Sequence, residues 1–104
     1  MVKIAKTGEG YYRATPTSKD GILGRNDCSR LKRELSLIIR SHREISIDVA
    51  GIKSIHREGL RILKELQYLA DQKNCKLRYI NVDLLIKSNV ARLTEKKVSF
   101  QEEF

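Results

Sequence analysis

Tryptophan is absent, proline occurs once (Pro16), and only six of the 104 residues are aromatic. With so few ring faces, a stacking platform for unpaired bases would need its aromatics side by side. Tyr11 and Tyr12 are consecutive instead, and on a strand they point to opposite faces. The single proline, and the lack of any Gly/Ser-rich or low-complexity stretch, leave no visible linker. A chain of this length fits one domain and can bury a core without a metal or disulfide. The two cysteines, Cys28 and Cys75, lie far apart and have no CxxC spacing. With only two histidines, His42 and His56, they make a poor zinc set and read as reduced thiols of a cytoplasmic protein. No apolar run approaches the roughly 18 residues that span a bilayer, and the N-terminus has no signal-peptide core. Neither a spanning segment nor an export signal is therefore expected. The phosphate-binding, nucleophile-elbow and HExxH signatures are missing as well. His-Arg-Glu occurs twice, at 42–44 and 56–58, without matching any of them. These gaps point away from an enzyme and from a bound cofactor, and toward a protein that works by binding.

Charge is what the chain has in quantity. The formal net charge is +8, with 33% charged residues against 40% hydrophobic. Such a surplus favours anionic partners, nucleic acid included. The basic residues are spread along the chain with no run of five or six, which is the pattern of a solvated surface. Nucleic-acid binding therefore rests on charge alone and is not expected.

The hydrophobic patterning is that of an α/β chain. Met1–Ala5 and Tyr11–Thr15 read as strands separated by the turn Gly8-Glu9-Gly10. Pro16 to Asp27 reads as loop, with Ile22 and Leu23 available to pack inward. Cys28, Leu31, Leu35, Ile38 and Ile39 form one apolar stripe of a helix over 28–41, capped by Asn26 or Asp27. Arg40, His42 and Arg43 at its end suit the helix dipole. Glu44–Val49 alternates, with Ile45, Ile47 and Val49 on one face, so helices should cover that side only. Gly51 ends this strand, and Ile52 and Ile55 should tuck the following loop against the core. Gly59–Gln72 is a second amphipathic helix built on Leu60, Leu63, Leu66 and Leu69, stopped at Asn74. Lys76–Val82 is the next strand, parallel to Glu44–Val49 across a βαβ unit. Asp83 should cap a short third helix using Leu84, Leu85, Val90 and Leu93. Val98–Phe100 reads as a last extended segment, and 101–104 as a frayed tail.

In such units, ligands and partners meet the loops beyond the carboxyl ends of the strands. That loop here is Ala50 to Glu58. The N–H groups of Gly59, Leu60 and Arg61 at the helix start would suit negative charge, and Glu58 brings a carboxylate there.

The stretch Ile45-Ser46-Ile47-Asp48-Val49-Ala50-Gly51-Ile52-Lys53-Ser54-Ile55-His56-Arg57-Glu58-Gly59-Leu60 resembles the central segment of STAS domains, the sulfate-transporter and anti-sigma-factor-antagonist domains. Their pattern is an apolar strand, Asp-Leu-Ser-Gly-Val, a short spacer, then Ile-Asp-Ser-Ser-Gly-Leu opening a helix. Gly21-Ile22-Leu23-Gly24 falls where the family has Gly-x-Leu-Asp, and Lys76 to Leu93 is similar to its strand and short third helix. The likeness spans about 80 residues, from Gly21 to Phe100. It implies a STAS-like α/β domain, with a mixed sheet of about four or five strands and about three or four helices mainly on one face.

The resemblance also implies what is missing. In phosphorylated members the serine before the glycine is modified by a kinase-like ATPase that is also an anti-sigma factor. Glu58 stands there, Arg57 replaces the other serine, His56 the aspartate, and Gly24 the acid of the early motif. Ser54 lies four residues earlier, inside the loop. A carboxylate cannot take phosphate, although its −1 charge partly imitates a phosphoserine at about −1.5 to −2. The implied function is a regulator resembling an anti-sigma factor antagonist but without the usual phosphoswitch. It would dock a protein through Lys53, Ser54, His56, Arg57, Glu58, Gly59, Arg61 and Lys64. The alternative is a STAS subunit of a bacterial lipid-transport ABC complex, held to a transporter ATPase. The oligomeric state is not legible.

Overall fold

The computed structural model describes residues 1–94. The segment Val98–Phe100 and the tail 101–104 lie outside the described residues. Two strands open the chain, β1 (Val2–Gly8) and β2 (Tyr11–Pro16), followed by a two-residue strand β3 (Ile22–Leu23) and helix α1 (Arg25–Ser36). Strand β4 (Glu44–Asp48), a second short strand β5 (Ser54–Ile55) and helix α2 (Arg57–Gln72) come next. Strand β6 (Lys76–Ile80), a 3₁₀ turn (Leu84–Ile86) and helix α3 (Lys87–Thr94) complete the described chain. The main sheet has the order β1-β2-β4-β6 and is mixed. β1 pairs antiparallel with β2, whereas β2, β4 and β6 run parallel.

β4 alternates as its sequence requires. Ile45, Ile47 and Val49 are fully buried, while Glu44, Ser46 and Asp48 are half-buried on the other face. The helices cover the apolar side. Leu31 and Leu35 of α1, Leu63 and Leu66 of α2, and Val90 and Leu93 of α3 share one core with Leu77 of β6. Both cysteines are free and buried in it.

Several expected boundaries move. β1 extends to Gly8, because antiparallel pairing with β2 continues across a bulge between Lys6 and Gly8. α1 starts at Arg25 and is capped by Gly24, which has no side chain to offer, so neither Asn26 nor Asp27 is the cap. Asp27 is a first-turn acid facing the N-terminal amine at 3.4 Å. The helix stops at Ser36 instead of Ser41, where two successive i→i−3 bonds tighten the chain: the Leu37 N–H donates to Glu34 O and the Ile38 N–H to Leu35 O. That tighter turn still delivers Ile39 into the core at 1% exposure. Arg43 then donates to the Ile38 carbonyl at 2.9 Å, so the basic residues expected at this end serve its orphan acceptors.

α2 ends as anticipated at Asn74, whose φ is +57°. The Cys75 N–H bonds Ala70 O and the Asn74 N–H bonds Asp71 O, the paired closure of a left-handed helix stop. β6 ends at Ile80, two residues early, because Asn81 turns left-handed at φ +58°. Asp83 does cap the following turn, accepting from the Leu85 N–H at 2.9 Å. Leu84 and Leu85, however, are 81% and 70% exposed and do not join the core; Ile86 takes that role.

Candidate functional site

All three parallel strands release their chain at one end of the sheet, and the three loops that follow are tied together there. Pro16–Asp27, read as loop, contains β3, which pairs in parallel with β5 through Ile22↔Ser54 and Leu23↔Ile55. The Lys53 and Ser54 N–H groups both donate to Gly21 O, and the His56 N–H donates to Leu23 O. Asp48 Oδ1 accepts from the Ala50 N–H and from Asn81 Nδ2, joining the loops after β4 and β6. Lys53 Nζ reaches Asp83 Oδ2 at 2.6 Å and holds that carboxyl below its ordinary range, with help from the Leu85 N–H. Ile52 is buried as expected, and Ile55 is half-buried against the core. The loop before α2 is thus a braced platform.

His56 caps α2: its Nδ1 accepts from the Glu58 N–H at 3.1 Å. A His56→Ala variant is expected to lose about 1 kcal/mol of stability, read from the urea midpoint. A loss within error would show the cap to be dispensable. The helix begins two residues earlier than the sequence pattern indicates, and this changes the expected anion site. The Leu60 N–H is already bonded to His56 O, and Arg61 lies within the helix, so neither offers a free donor. Glu58 does not sit over those groups. Its Oε1 pairs with Arg61 at 3.1 Å, Arg61 also bonds Glu65 at 3.0 Å, and Lys32 of α1 closes the series on Glu65 at 2.8 Å. The Lys32 contact, with Arg61 behind it, draws the Glu65 carboxyl below its usual range. These pairs are solvent-exposed, each worth about 0–1 kcal/mol. Their main effect is to neutralise Glu58 within the chain.

The expected docking residues therefore divide. Lys53, Ser54, His56, Arg57, Arg61 and Lys64 are exposed along the loop and the outer side of α2, with half-buried Glu58 among them. Gly59 is buried and faces α1; a Cβ there would stand 2.8 Å from Cys28 Sγ. It is a packing residue, not a surface one. Residues that pattern reading missed are Asp83, which anchors Lys53, and Asn81, which anchors Asp48. Their only sequence signal is an Asn-x-Asp punctuation after a strand.

Other chemistry is sparse among the described residues. No three His, Cys, Asp or Glu side chains gather as a metal site, and no helix is long and apolar enough to cross a membrane. The largest groove, about 640 Å³, lies away from this loop platform, between β6, α2 and α3. Gln67 Oε1 and Tyr79 OH, from residues that line it, are buried without a hydrogen-bond partner. No protein-family model matches the sequence, and no curated protein matches it.

Proposed function

We propose that this chain is a non-enzymatic STAS-type regulator that docks a protein partner through the loop Lys53–Glu58 and the outer side of α2. The partner is an anti-sigma-factor-like ATPase of the cytoplasm. One observation carries the reading: an exposed loop, braced by Gly21, Leu23 and Asp83, displays His56 and Arg57 at the start of a helix whose outer side is charged. Braced, solvent-facing loops at the carboxyl ends of parallel strands are where α/β domains meet their ligands. A rim of charges there sets partner choice and association rate. Glu58 takes no phosphate, and its charge is spent on Arg61, so it acts as a fixed element of the docking face. Regulation by phosphate at this position is absent from the proposal.

The test is titration of native protein and variants against the ATPase retained by the native chain. Arg57→Glu is expected to weaken binding about 10–100-fold, the range of a substantial interface residue. Glu58→Ser, incubated with that ATPase and ATP, should acquire no phosphate if docking has been rebuilt around a fixed charge. Undiminished binding by both Arg57→Glu and Lys64→Glu would sink the reading.

A further inference from the structure

We propose that Leu84 and Leu85 form a second, apolar half of this docking surface and seat in an apolar pocket, edged by carboxylates, on the protein partner. The inference rests on the protein-docking reading and names the contact that would supply most of its affinity.

Adjacent leucines at the start of an amphipathic segment ordinarily bury at least one side chain. Here both point to solvent, and Ile86 alone anchors the turn. Single exposed apolar residues are common on any surface, but paired exposed leucines held on ordered backbone mark an interaction site more often. The backbone beneath them is ordered by named bonds. Asp83 accepts the Leu85 N–H on one oxygen and Lys53 Nζ on the other, and the Ile86 N–H returns to Asp83 O. This turn touches β5, and β5 pairs with β3, which carries Ile22 at 44% exposure. The apolar anchors therefore stand at the loop platform already described, beside Lys53.

Charge selects the occupant. The aspartates of this end are engaged within the chain: Asp20 by Ser18 Oγ and the Ile22 N–H, Asp48 by Asn81 and the Ala50 N–H, Asp83 by Lys53. Lys19, Arg57 and Lys87 flank the same loops and make no ion pair among the described residues. An apolar centre with unpaired cations at its rim fits a pocket bordered by carboxylates. A second copy of this chain would bring its own +8 and the same unpaired cations against them. An anionic bilayer would meet the aspartates that share the rim. A protein with acidic edges avoids both penalties.

The experiment places a photo-cross-linking p-benzoylphenylalanine at position 84, with position 37 as control. Leu37 is equally exposed, at 71%, and follows the far end of α1. The protein captured in cells from position 84 is purified and titrated against native chain, Leu84→Ala/Leu85→Ala, Leu37→Ala and Arg57→Glu. The double leucine variant should bind at least about 30-fold more weakly, with Leu37→Ala unchanged and both variants folded by circular dichroism. If Arg57→Glu weakens binding while the leucine variant does not, the docking reading stands and this inference falls. If neither weakens it, both fall. Capture at position 84 no greater than at 37 overturns the inference. So does leucine-dependent flotation with phosphatidylglycerol vesicles, or leucine-dependent dimerisation in sedimentation.

Discussion

Replacing Gly59 by alanine is expected to destabilise the protein by about 1–3 kcal/mol, the usual cost of forcing an extra methyl into a closed core. The sign is the informative part. Within an open helix, glycine to alanine stabilises by about 0.8–1 kcal/mol, because alanine loses less backbone entropy. At Gly59 the new Cβ would stand 2.8 Å from Cys28 Sγ and 3.4 Å from the carbonyl oxygens of Leu23 and Gly24. The oxygens are at ordinary contact distance; the sulfur is not. Cys28 is fully buried and cannot swing aside. In a Cys28→Ala background the clash disappears, and the same substitution should become neutral or stabilising. Urea unfolding of the four members of this double-mutant cycle measures the coupling. A Gly59→Ala protein more stable than native would refute the packing role. The glycine that matches the STAS pattern would then owe its place to something other than the approach of α1 to α2.

Raising the pH is expected to unfold this protein through groups that its core keeps protonated. Burial pushes the Cys28 thiol from an ordinary value of 9.0 up to about 12. Burial also raises the Tyr79 phenol and the Cys75 thiol. In the unfolded chain the thiols release their protons near pH 9 and the tyrosine near 10, while the folded chain retains them. Between those limits the unfolded state binds fewer protons, so stability declines as pH rises. The contribution of Cys28 is complete below pH 9 and is lost toward pH 12, at about 1.4 kcal/mol per pH unit while only the unfolded form ionises. Urea midpoints at pH 7, 9 and 10.5 should be level across the first interval and fall over the second. Lysine deprotonation relieves the +8 self-repulsion and works in the other direction, so the comparison that counts is with Cys28→Ala/Tyr79→Phe. That variant should show a shallower alkaline decline. Equal slopes for the two proteins would remove the cause.

Patterning carried the α/β class, the one-sided cover of β4 and the left-handed stop at Asn74. Each follows from local rules: alternation for a half-buried strand, a 3.6-residue stripe for a helix, and the tolerance of asparagine for positive φ. Helix starts were less legible. Gly24 caps α1 without a side chain, and α2 begins on His56, a residue outside the usual Ser, Thr, Asp and Asn caps. Both starts are set by the β3–β5 pairing that immediately precedes them, and two-residue strands leave no periodicity to read.

The loop residues Lys53 to Arg57 were legible as a surface from their position after a parallel strand, and Arg61 and Lys64 from the outer stripe of α2. What each side chain does there was not. Glu58 reads as a free carboxylate until Arg61 is found beside it, and Gly59 reads as part of the loop motif until Cys28 is found beneath it. Leu84 and Leu85 read as core because leucine usually is. The sequence by itself determined the element types, the face each strand buries and the location of the braced loop, since these depend on the order of polar and apolar residues along the chain. Only the tertiary structure decided which charges are already paired, which glycine is a packing residue and which leucines are left in water. Those depend on distances between residues some 30 positions apart, such as Lys53 with Asp83, Lys32 with Glu65 and Cys28 with Gly59, and periodicity carries no information at that range.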